Sequence, residues 1–376
     1  LALERIVVRN FRNLVAIDLT PASRLNVIVG NNGHGKTSLL EAVYFVATSR
    51  SFRTSKFPEL VAHEASGCLV RACFAEHSDD SLSVSREQTA VVERGRCQVR
   101  VDGHRPSTLA EFATRSPVVI FHPAELTLSS GPGLGRRTLL DRLALFIDPM
   151  SADHRSRYAH ALRSRQKLLR LASTERSAAP LAARTDLDAF EELCARHGAS
   201  LTAARKRAAD LLVPALEHAF SRIAAVDLAL SATFVPGGSL SPEESRLELR
   251  RHRDRDARRP SPGFGPHRDD LAFCLNGHPA RLVASQGQHR ALALALKVAE
   301  TNCIAQIRGV APILLLDDVS SELDADRTLA LFSLLGQSGS QIFLTTTRRD
   351  LIVTPAVSSP HRRDFALHQG VLRLLD

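Results

Sequence analysis

"RLNVIVGNNGHGKTSLLEAVYFVAT", residues 24–48, runs strand, loop, helix. Leu25 to Val29 is a short β-branched run, and Gly30-x-x-x-x-Gly35-Lys36-Thr37 follows it at once. Apolar residues then recur at 39, 40, 43, 46 and 47, the spacing of one helix face. Such an order makes a phosphate-binding loop. From Gly30 through Asn31, Asn32, Gly33, His34 and Gly35 the backbone can turn successive N–H groups inward around α- and β-phosphates. Lys36 adds a mobile ammonium for the β- and γ-oxygens, and Thr37 a hydroxyl for Mg2+. The start of the helix contributes its own positive field.

A phosphate loop needs an acidic partner at the end of a buried strand, and APILLLDD, residues 311–318, provides one. Ile313 to Leu316 reads as a strand buried on both faces. Side chains alternate along a strand, so Asp317 and Asp318 point different ways. By analogy with other phosphate-loop enzymes Asp317 is assigned to the metal and Asp318 to polarising the attacking water, with metal-assisted phosphoryl transfer as the reaction class.

A third signal is SQGQHRALALALKVAE, residues 285–300. ALALAL alternates, yet Ala and Leu are both apolar and β-branched residues are almost absent, so the stretch reads as a buried helix. Ser285, Gly287 and Gln288 then stand at its N-terminus, where unpaired N–H groups and a hydroxyl suit either a serine cap or an anion.

Phosphate loop, serine-glycine-glutamine helix start, acidic strand and Ser320-Ser-Glu-Leu-Asp324 follow one another in the order of the ABC ATPase superfamily, which the chain resembles. Within it, six segments resemble the RecF family of bacterial recombination mediators. They are Asn10-Phe-Arg-Asn13, Gly33-His-Gly-Lys-Thr37 running into Leu40-Glu-Ala42, Ser51-Phe-Arg-Thr54, Gly265-Pro-His-Arg-Asp-Asp270, Ser285-Gln-Gly-Gln288 and Leu315-Leu-Asp-Asp-Val-Ser-Ser-Glu-Leu-Asp324. The resemblance implies an ATP- and Mg2+-dependent ATPase that dimerises on ATP, with Ser285, Gly287 and Gln288 on the γ-phosphate held by a second copy and Asp324 across the interface. It also implies slow hydrolysis, double-stranded and gapped DNA as ligand, and work with RecO and RecR to load RecA. An ABC-transporter ATPase subunit and an ATPase head serving a nuclease subunit stay open as alternatives. In places the chain departs from its relatives. His34 and His289 stand where the family carries Gln, Phe121-His-Pro-Ala-Glu-Leu126 occupies a glutamine-loop position without Gln, and Thr345 and Thr346 stand where transporters place a γ-phosphate-sensing His.

The two halves of this motif set lie near opposite ends of the 376 residues, so an α/β head of the ABC type is expected to form from both ends around an α-helical insertion. The expected divisions are 1–128, 129–261 and 262–376, with glycine-proline edges at Gly131–Gly135 and Ser261–Pro266. Residues 151–173 and 185–221 read as a short helix pair. Net charge is +9, aromatics make up 5% and Trp is absent, which favours phosphate contacts with nucleic acid over base stacking. Basic residues gather at Arg155, Arg157, Arg163, Arg165, Lys167 and Arg170, and again as seven arginines from Arg246 to Arg259; ATP-driven dimerisation is expected to join them into a groove for duplex DNA. Six scattered cysteines, no apolar run of membrane length and no apolar leader read as a cytoplasmic, nucleoid-associated protein.

Overall fold

A computed structural model describes residues 1–77, 83–174, 181–224, 227–259, 261–318, 339–348 and 361–375. The chain forms two compact units, one of residues 1–126, 218–228 and 285–376 and the other of 127–217 and 229–284. Residues 262–284, read from the sequence with the C-terminal part of the head, cluster with the helical unit instead. Residues 218–228, read with the insertion, cluster with the first unit.

The first unit is mixed α/β, as the phosphate loop and its distant acidic strand require. One sheet has the order β14-β13-β3-β12-β11-β7, built from β3 (Leu25–Val29), β7 (Val118–Phe121), β11 (Ile313–Leu316), β12 (Ile342–Thr346), β13 (Arg362–His368) and β14 (Val371–Leu375). All neighbours are parallel except the edge pair β13–β14. Strands β7, β11 and β12 are buried along their whole length; β7 and β11 are unbroken apolar runs, as suits a parallel sheet, and β12 ends in two buried threonines. A second, antiparallel sheet has the order β2-β1-β4-β5-β6, from β1 (Ala2–Phe11), β2 (Leu14–Leu19), β4 (Gly67–His77), β5 (Ser83–Glu93) and β6 (Arg96–Val101).

Between these sheets runs α1 (Lys36–Thr48), which packs on β1, β4 and β5 of one and β7 and β12 of the other. Leu39, Leu40, Val43, Phe45 and Val46 are all fully buried, each worth roughly 1.5–3 kcal/mol on removal from water. The sequence marked one apolar face; the helix is in fact covered nearly all round, because sheets close on both sides of it. Helix α2 (Leu109–Arg115) packs against α1, with Phe112 in the same core.

The second unit carries α3 (Thr127–Ser130), α4 (Leu134–Ile147), α5 (Ser151–Thr174), α6 (Leu181–Ile223) up to Glu217, α7 (Pro242–Arg251), α8 (Arg253–Ala257) and α9 (Ala280–Val283), with a small sheet of β8 (Leu230–Val235), β9 (Asp270–Leu275) and β10 (His278–Pro279). The expected helix pair is α5 with α6, whose core joins Tyr158 and Ala161 to Cys194, Ala195 and Leu201. A further helix, α10 (Gln286–Arg308), belongs to the first unit. It is buried from Ala291 to Thr301, as its Ala/Leu composition predicts, and ends at Gly309 with φ 68°.

Candidate functional site

The phosphate loop leaves β3 at Gly30 and enters α1 at Lys36. Gly30 is fixed by close approach, since a Cβ there would lie 2.3 Å from the Leu367 carbonyl oxygen. Gly35 is fixed by its φ of 108°, open only to glycine without strain. The loop rests on its neighbours through Asn13, whose amide donates to the Gly33 carbonyl at 3.0 Å, and through the edge-on contact of the His34 and His368 rings at 4.6 Å. Lys36 folds back over the loop, its ammonium donating to Gly30 O at 2.7 Å and Asn31 O at 3.1 Å. Burial lowers its pKa, against the pull of Asp318 and Asp317.

Thr37 and Asp317 are 280 positions apart in sequence and touch. The Thr37 hydroxyl donates to the Asp317 carboxylate, 3.0 and 2.9 Å from its two oxygens. The meeting follows from strand order: β12 pairs with β3 on one side and β11 on the other, which puts the loop after β3 and the end of β11 at one edge of the sheet. Ligands of open α/β sheets collect at this carboxyl edge. Burial raises the Asp317 pKa, opposed by hydrogen bonds from Thr345 and Thr37; Asp318 adds to the rise and Lys36 resists it. A hydroxyl beside a carboxylate is a hard oxygen pair of the kind Mg2+ takes when phosphates and water complete its shell.

A cavity of about 510 Å³ opens over these groups, lined by Asn32, Gly33, Gly35, Lys36, Thr37, Asp317 and Asp318. Arg12, Asn13 and Arg53 line it too. Both arginines are held by the fully buried Glu41: Arg12 by two bonds of 3.0 and 2.7 Å, Arg53 by one of 3.2 Å. In the sequence their segments, Asn10–Asn13 and Ser51–Thr54, stand only as family markers. No role was legible, because Arg12 reaches the cavity through a turn after β1 that pairs locally and carries no motif chemistry.

Ser285 is the N-cap of α10. Its hydroxyl accepts the Gln288 N–H at 3.2 Å, while the Gln288 side chain accepts the Ser285 N–H at 2.7 Å. Ser285, Gly287 and Gln288 are not among the residues lining the phosphate-loop cavity. Further along α10, the buried Lys297 ammonium bonds Glu125, 2.6 Å from Oε1, and Glu300 at 3.1 Å. Glu125 lies in the turn after β7, so a carboxylate ties that turn to α10. The His122 ring beside it stacks on Phe52 at 5.0 Å. Thr345 and Thr346 have their hydroxyls engaged: Thr345 on Asp317 at 2.7 Å, and Thr346 on the Arg348 carbonyl at 3.1 Å. Asp324 and the rest of Ser320–Asp324 lie outside the described residues.

The basic runs of the second unit are largely neutralised. Arg165, expected on a surface, is fully buried and bonds Asp256 at 2.7 Å and Glu191 at 3.1 Å. Arg253 pairs with Glu191 and Asp188, Arg250 with Asp188, Arg246 with Glu192, Arg251 with Glu248, Arg155 with Asp141 and Arg157 with Asp153. Period alone did not reveal this, since most of the acids come from other helices. Arg163, Lys167, Arg255, Arg258 and Arg259 remain exposed, with no acid within ion-pair distance among the described residues. Within the Gly265–Asp270 motif, Arg136 holds Asp270 by bonds of 2.7 and 2.8 Å, and buried Asp269 accepts Arg205 at 3.1 Å and the Gly237 N–H at 2.8 Å.

The RecF/RecN/SMC N terminal domain family matches residues 2–357 of the chain. The DNA replication and repair protein RecF of Myxococcus xanthus is 36% identical over 355 residues, spanning 92% of this chain and 90% of that protein. Its counterpart in Anaeromyxobacter sp. strain Fw109-5 is 37% identical over 359 residues, 92% of each. Among solved structures, the recombination mediator protein RecF with ATP, of the RecFOR pathway, is similar at a TM-score of 0.86 and 28% identity, over 100% of this chain and 97% of that one. An Smc head domain from Pyrococcus furiosus shares the fold at a TM-score of 0.55 and 16% identity, over 99% of this chain and 95% of that one.

Proposed function

The chain belongs to the RecF family, within the RecF/RecN/SMC group of ATPases, and from that premise we propose that it is an ATP-dependent DNA-repair protein of the RecFOR pathway that dimerises on ATP and separates after slow hydrolysis. The observation that carries this reading is the contact of Thr37 with Asp317, which joins the phosphate loop to the acidic strand in one cavity. The relatives favour it over the transporter subunit and the nuclease-bound head that the sequence left open.

The residues divide the work. Gly30 to Gly35 wrap the phosphates with backbone N–H groups, and Lys36 leaves the carbonyls of Gly30 and Asn31 for the β- and γ-oxygens. Thr37 and Asp317 would hold Mg2+, whose chemistry is to neutralise charge on the phosphates. Asp318 orients the attacking water. Ser285, Gly287 and Gln288 of one copy complete the γ-phosphate shell of the other, and Asp324 links the two sites across the interface. Head segments and a helical insertion thus form a switch: ATP joins two chains, hydrolysis parts them.

Duplex or gapped DNA is held through its phosphates by the exposed cations Arg163, Lys167, Arg255, Arg258 and Arg259, with RecO and RecR as partners in loading RecA. No helix among the described residues is long and apolar enough to cross a membrane; a cytoplasmic site of action fits the DNA partner. Light scattering with ATP and duplex DNA tests the reading: Asp318→Asn should accumulate ATP-bound dimers without turnover, and a wild-type chain that stays monomeric with ATP at every concentration would refute it.

A further inference from the structure

The Asp317-Asp318 pair is positioned by a residue from the neighbouring strand. Thr345, on β12, is fully buried; its hydroxyl lies 2.7 Å from Asp317 Oδ1 and 2.9 Å from the Asp318 backbone nitrogen. A hydroxyl has one proton. The Asp318 N–H can only donate, so the hydroxyl accepts there, and the ionised Asp317 carboxylate can only accept, so the hydroxyl proton goes to Asp317. Both bond directions are therefore fixed, and so is the threonine rotamer.

Two consequences meet at this hydroxyl. Asp317 keeps one oxygen held from behind while Thr37 faces the same carboxylate from the phosphate loop. Asp318 has a φ of 51°, in the left-handed region where a non-glycine residue needs its surroundings to hold it. The bond from its N–H to Thr345 supplies part of that hold and so sets where the Asp318 side chain leaves the backbone. A valine at 345 would fill the same space and sustain the same β pairing while losing both bonds.

We propose that Thr345 is a positioning residue for ATP hydrolysis, one hydroxyl orienting the metal-side carboxylate and the water-side carboxylate together. This rests on the reading of the cavity as a hydrolytic ATP site. It differs from a γ-phosphate-sensing role, for which the hydroxyl would have to abandon both partners.

The experiment compares the full-length wild-type chain with Thr345→Val and Thr345→Ser by steady-state hydrolysis of ATP with Mg2+, and by electron paramagnetic resonance titration of Mn2+ into the ADP complex. Outer-shell partners of this kind change metal affinity or turnover by about 10–100-fold. Thr345→Val is expected to lower kcat by about tenfold or more and Mn2+ affinity by about tenfold, with KM for ATP within about threefold. Thr345→Ser should restore both. Unchanged kcat and Mn2+ affinity in Thr345→Val would overturn the proposal, as would weakened binding of ATP with ADP and Mn2+ binding intact. Should Thr345→Val not fold, Thr345→Ala provides the same readouts. A wild-type chain without hydrolysis would sink the parent reading alone, since the Mn2+ arm needs only ADP.

Discussion

Ser285 and Gln288 cap each other at the start of α10, the hydroxyl taking the Gln288 N–H at 3.2 Å and the Gln288 amide oxygen the Ser285 N–H at 2.7 Å. The sequence left open whether this stretch was a cap or an anion site, and in the single chain it is a capping box. Because the hydroxyl only accepts in this cap, its proton stays available to the γ-phosphate that a partner would bring under the proposed reading. Ser285→Ala should cost about 1 kcal/mol of stability, bind ATP normally and fail to dimerise. Ser285→Asp separates the two roles: aspartate caps as well as serine, so stability should hold by thermal melting while its charge, set against phosphate, still blocks dimerisation by light scattering. A Ser285→Asp chain that dimerises with ATP would remove Ser285 from the interface.

Asp317 gives the site a pH dependence of known sign. Burial raises its folded pKa above the unfolded value, so its contribution to stability is full below the ordinary carboxylate range and lost as pH rises through the raised value. Once ionised, Asp317 is an unfavourable buried charge that a bound cation would relieve. Asp317→Asn should raise the melting temperature of the nucleotide-free chain by about 2 °C at a pH where the carboxylate is ionised and abolish the Mg2+ dependence of nucleotide binding. A lowered melting temperature would mean that the carboxylate is stabilising as it stands.

Arg163 and Lys167 stand exposed on α5, one turn apart, with no ion pair among the described residues. Replacing both with Ala should leave stability within about 0.5 kcal/mol and reduce the slope of log affinity for duplex DNA against log salt by about 1.8, near 0.9 for each phosphate no longer neutralised. An unchanged slope in a fluorescence anisotropy titration would move the DNA-binding surface elsewhere.

Arg165 lies two residues from Arg163 and does the opposite job. With its guanidinium fully buried between Glu191 and Asp256, Arg165→Ala would leave two carboxylates inside the helical unit without this cation. About 3–5 kcal/mol of stability should be lost, visible as a lowered urea midpoint.

The contrast between Arg163 and Arg165 marks how far the sequence could be read. Local, motif-borne features were legible: the phosphate loop, the buried strand before Asp317, the Ala/Leu helix after Ser285 and the helix pair α5–α6. Each depends on residues adjacent in sequence or repeating at a helical or strand period. Long-range pairings were not legible. Nothing near Arg165 names Asp256, nothing near Lys297 names Glu125, and the hydroxyl of Thr345 could be assigned to Asp317 only once β12 was known to lie beside β11. The clustering of residues 262–284 with the helical unit was not legible for the same reason, because it depends on β9 joining β8 in one sheet.

The claim that an ATP site is completed by two chains is tested most directly by mixing two inactive variants. Lys36→Met loses the ammonium of the phosphate loop and Ser285→Ala the hydroxyl of the signature helix, so neither alone should hydrolyse ATP. In an equimolar mixture, one site of each mixed pair joins an intact Lys36 from one chain to an intact Ser285 from the other, and hydrolysis should return. If the mixture stays as inactive as its components, the two residues do not meet across a dimer and the account is contradicted.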